Sequence, residues 1–184
     1  MGIFGQIRQK KLLNPMEGAT TLIACAQTPM DPSNLAKITT DPTALHSINL
    51  LIFLTRFAII TNWLRRVEES SPDFARAAAV LDAFQNMTFS TMPNELRPEF
   101  FIYIQSLTAS VTELHEIVGE KNVPSADISR RMLRWCKGWL AIVLDDEAFL
   151  KQTSLLWGAP FFAYVHGAMG SLAKSVEAVL YEEQ

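Results

Sequence analysis

The chain has 184 residues and a net charge of −3, with 49% apolar and 19% charged residues. High hydrophobicity with few charges excludes a disordered chain, and nine prolines and eight glycines without a period exclude collagen-like and low-complexity arrays. The mildly acidic balance gives no electrostatic basis for nucleic-acid binding, and the length fits one domain.

Residues 1–13 carry Arg8, Lys10 and Lys11 and no acid. The run is too short and too basic for the apolar part of a secretory signal. Gln6 stands where an N-myristoylation motif needs Ser or Thr, so that motif fails despite Gly2. Ile3, Phe4 and Ile7 beside Arg8, Lys10 and Lys11 make a basic apolar N-terminal arm. Such an arm is expected to pack on a protein partner or to rest on an anionic membrane surface. Residues 14–184 are expected to form a single helical domain.

Residues 17–28 read as a short helix of small apolar residues, followed by a polar loop punctuated by Pro29, Pro32 and Pro42. Asp41-Pro42 is a helix start, an N-cap followed by a proline whose missing N–H costs nothing in the first turn. From Thr43 to about Glu69 no proline or glycine intervenes. Between Ile48 and Leu64 this helix is apolar nearly all round, with one charge, Arg56. The run approaches membrane-span length, but Asn49, Arg56, Thr61 and Asn62 interrupt it, and the pattern fits a central bundle helix better. A buried Arg56 then needs a carboxylate, a carbonyl, water or a bound anionic ligand.

Ser71-Pro72 opens a helix to about Phe89, and Pro98 opens another that ends at Gly119. In the second, Phe100, Ile104, Leu107, Val111, Leu114 and Val118 step by four and three residues, with Phe101 and Ile117 widening the apolar face. A helix from Ser125 to about Trp157 interleaves Arg130, Arg131, Arg134 and Lys137 with Trp135 and Trp139. Those cations are expected to form a solvated stripe, with the indoles inward. A last helix runs from Pro160 to about Glu182, and Ala163, Gly167 and Ser171 in it would admit a close backbone neighbour. The fold class read from this map is all-α, a single-domain bundle of about six helices.

The chemistry-bearing residues do not assemble into a known motif. Cys25 and Cys136 lie far apart in apolar surroundings and are expected to be free thiols. His115-Glu116 begins a zinc-protease pattern that fails at Gly119, and no nucleophile elbow, phosphate loop or dinucleotide fingerprint is present. No catalytic residue, metal ligand or cofactor is assigned. The chain is therefore expected to be a cytoplasmic or membrane-peripheral interaction protein acting through apolar contact surfaces, with a protein partner or self-association. The alternative is a helical pocket for an apolar or amphipathic small ligand, with Arg56 as its anion contact. The expected interaction patch is Trp157, Phe161, Phe162 and Tyr164, because rings on both sides of a Gly-Ala-Pro break cannot all follow one helix face inward.

Overall fold

The computed structural model describes residues 14–92, 94, 97–119, 125–144 and 159–181. Among these residues the chain forms seven helices and no strand: α1 (Pro15–Ala26), α2 (Pro32–Leu35), α3 (Pro42–Arg65), α4 (Phe74–Thr91), α5 (Arg97–Gly119), α6 (Ser125–Leu144) and α7 (Ala159–Leu180). The fold is all-α.

Local side chains account for the helix ends. The Asn14 side chain accepts a hydrogen bond from the Glu17 N–H at 2.9 Å, and the Glu17 carboxylate accepts one from the Asn14 N–H at 2.9 Å. This reciprocal cap starts α1 earlier than the sequence alone placed it, because it satisfies two amides of the first turn. Asp31 caps α2 through the Ser33 N–H, adding a short helix inside the stretch read as loop. Two C-terminal ends, those of α7 and α4, are met by arginines from another helix. Arg76 donates to the Val179 carbonyl in the last turn of α7 at 2.7 and 3.1 Å, and Arg97 donates to the Phe89 carbonyl near the end of α4 at 3.2 Å. Cations there meet carbonyls that have no partner within their own helix.

α3 is the hub and packs against α1, α4, α5, α6 and α7. Ile48, Leu51, Leu54, Ala58, Ile59 and Ile60 are all buried, which explains its lack of a polar face: a helix surrounded on most sides has no solvent side to mark. The segment Ala44–Arg65 is long and apolar enough to cross a membrane by length and composition, and most of it is buried within the fold. On α5, Phe100, Leu107, Val111 and Leu114 are buried as their spacing predicts. Phe101 is not. It is 56% exposed, because it lies about 100° around the helix from Phe100, past the edge of the buried stripe.

The close helix approach expected in the last helix occurs elsewhere. A Cβ on Gly167 or Gly170 would have nothing within 4 Å, and Ala163 and Ser171 are exposed beside them. At Gly18 of α1, in contrast, a Cβ would lie 2.6 Å from Val179 Cγ1 of α7. Val179 is buried and branched, so it has little freedom to retreat.

Candidate functional site

Of the sequence-derived patch, Trp157 lies outside the described residues, as do residues 1–13. Phe161 is fully buried, which removes it from any contact surface: the first turn of α7 turns this ring into the core beside Val165 and Ala168. Phe162 is half-buried and stacks near His166, with ring centroids 6.0 Å apart. Tyr164 is occupied internally, its hydroxyl donating to the Thr28 carbonyl at 2.7 Å.

Tyr164 also helps to satisfy Arg56. The buried guanidinium donates through Nε to the Cys25 carbonyl at 2.7 Å and through Nη1 to the Tyr164 hydroxyl at 3.2 Å. Its Cζ sits 5.6 Å from the Tyr164 ring centroid. A carbonyl, a phenol and a ring face account for the buried cation without an external anion, so Arg56 ties α3 to α1 and α7. Burial pushes the Tyr164 hydroxyl up, partly offset by the Arg56 charge.

A different surface brings aromatic and polar groups together. Rings run outward from the core: Phe84 stacks on Phe57 at 4.8 Å, Phe57 meets Phe100 edge-on at 5.3 Å, and Phe100 meets Phe89 edge-on at 5.2 Å. Phe101 then stacks on Phe89 at 5.4 Å and projects into solvent. Beside this ladder a groove of about 460 Å³ opens between α3, α4 and α5. Phe57, Phe89, Ile104 and Ala109 supply its apolar lining, and Thr61, Arg65, Gln85, Gln105, Thr108 and Thr112 its polar one.

Under the groove the interface of α3 with α5 is unusually polar. Asn62 donates to the Thr112 hydroxyl at 2.7 Å, and Thr112 donates to the Thr108 carbonyl at 3.2 Å. Thr61 Oγ1 and Asn62 Oδ1 are buried without a hydrogen-bond partner among the described residues. One turn beyond Thr112, His115 is 7% exposed, neither ring nitrogen has such a partner, and its ring meets Trp63 edge-on at 5.2 Å. Burial, with a smaller push from the Arg66 charge, lowers its pKa to about 4. A histidine neutral at pH 7 and boxed against an indole is poorly placed to exchange protons with a substrate.

Burial raises the Cys136 thiol to about 12, so it behaves as a small hydrophobe. Among the described residues no three His, Cys, Asp or Glu side chains converge as a metal site would require. The groove can hold an apolar group and orient it with hydroxyls, amides and the Arg65 guanidinium. Sequence reading missed it because its lining comes from three helices; the outlying Phe101 beside the heptad stripe was the one signal available. Comparison of the chain with protein-family models, curated proteins and solved structures returned no match.

Proposed function

We propose that this protein acts by contact and not by catalysis, as an assembly or regulatory partner, and that the α4–α5 face is its contact surface. The observation that carries this reading is Phe101, 56% exposed and stacked on Phe89 beside a groove. Large exposed rings on rigid helices are the usual anchors of protein interfaces. A projecting ring and a recess on one face make that face self-complementary, as a two-fold symmetric interface requires. Phe101 of one copy would enter the groove of the other, between Phe89 and Ile104.

Sedimentation velocity over a range of protein concentrations tests this reading. The protein should associate as concentration rises, and Phe101→Ala should abolish association with its melting temperature unchanged. A wild-type protein that stays monomeric at every concentration contradicts self-association. A large drop in melting temperature for Phe101→Ala makes the ring part of the fold and not a contact.

A further inference from the structure

Further around α5 from that groove, α6 presents a second recess, of about 390 Å³. Its floor is two indoles. Trp135 Nε1 donates to the Ser110 carbonyl at 3.1 Å and to the Ser110 hydroxyl, and Trp139 Nε1 donates to the same hydroxyl at 2.9 Å. One serine thus fixes both rings and leaves their apolar faces to line the recess. Gly138 lies between them, and a Cβ there would meet nothing within 4 Å, so the recess runs open over this residue. Arg131 and Arg134 form one end, and Ile142, 53% exposed, forms the other. Arg134 and Ile142 are eight residues apart along α6, a rise of about 12 Å. Glu113 on α5 is the one acid in the lining among the described residues.

The cationic and apolar halves are separated along the recess, and this polarity defines what it would take. We propose that it is a binding site for an amphipathic organic anion, a carboxylate or phosphate head on an apolar tail. The head pairs with the guanidinium of Arg134 beside Arg131, and the tail lies over Gly138, alongside the indoles, toward Ile142. Guanidinium groups recognise both oxyanions through paired donors. Glu113 opposes the head and weakens its binding. The site is independent of the Phe101 face.

Titration with decanoate, kept below the concentration at which it aggregates, tests the site through tryptophan fluorescence and the rise in melting temperature that a bound ligand produces. Gly138→Leu is the decisive variant: the position of a Cβ on Gly138 is open, and a leucine there extends into the recess. A saturable response is expected in the wild type, weakened about tenfold or more by Gly138→Leu and by Arg134→Gln, and strengthened by Glu113→Gln. Phosphatidylcholine vesicles containing phosphatidylglycerol form a second arm. Vesicle binding that Gly138→Leu also abolishes, alongside the decanoate response, identifies a lipid as the source of the anion. Absence of a saturable decanoate response, or a Gly138→Leu protein that keeps its fold and binds decanoate as the wild type does, overturns the proposal. So does vesicle binding without any decanoate response, which would mean that the face meets a charged surface and holds no single amphiphile.

Discussion

At the scale of single residues, two glycines make opposite demands on their surroundings. Gly18 sits where α1 and α7 touch, 2.6 Å from Val179 Cγ1 at the position of a Cβ, so Gly18→Ala should destabilise the protein by about 1–3 kcal/mol through overpacking. Gly167 faces open space in the middle of α7, so Gly167→Ala should stabilise it by about 0.5–1 kcal/mol through helix propensity. Denaturant midpoints of the two variants should move in opposite directions. Which glycine stands at a close approach was not legible in the sequence, where the small residues of the last helix gave the stronger pattern. His115 supplies a pH signature. Its pKa in the folded protein, about 4, lies below its ordinary value of 6.5, so the unfolded chain takes up this proton first as pH falls. The stability from neutral His115 is complete above about pH 6.5 and is lost progressively toward pH 4. Replacing it by Phe should flatten the fall of the unfolding midpoint between those pH values, and an unchanged slope would mean that another group titrates there.

At the scale of elements, helix starts were the most legible feature. Asp41-Pro42 marks the beginning of α3, and Pro98 lies one residue inside α5, because a proline in the first turn costs no hydrogen bond. Ser71-Pro72 points two residues early: Ser71 Oγ accepts the Asp73 N–H at 3.3 Å in a turn that precedes α4. The α5 stripe was legible because four of its residues bury at the spacing of one helix face. Phe101 was misread because adjacency in sequence places a side chain well around the helix from its neighbour. The buried positions should respond as core. Leu54→Ala on α3 and Leu107→Ala on α5, both fully buried, should each cost about 2–5 kcal/mol. An unfolding midpoint unchanged by either would mean that its helix is rotated from the orientation described.

At the scale of the whole molecule, one apolar helix gathers five others, and the proposed contact groove lies where α4 and α5 do not close over it. The Phe57–Phe89–Phe100 ladder is continuous from the core to Phe101, so the face that carries the exposed ring is tied by ring contacts to the buried core. No sequence pattern encodes that meeting, since the groove exists only once α3, α4 and α5 are packed. Its central consequence is a ring and a recess on one surface, each able to serve the other in a second copy. Ala109 is exposed and lines the groove, so Ala109→Trp should block the recess while sparing the core. Neither Phe101→Ala nor Ala109→Trp protein should self-associate alone, the first lacking the ring and the second the recess. Mixed together, the intact ring of the Ala109→Trp chain can enter the intact groove of the Phe101→Ala chain. The direct measurement is sedimentation of the two variants singly and as an equimolar mixture. The account predicts monomers in each single sample and, with one of the two symmetric ring-in-groove contacts restored, a heterodimer weaker than the wild-type dimer in the mixture; a mixture that associates no more than either variant alone, at concentrations well above those at which the wild type associates, would contradict it.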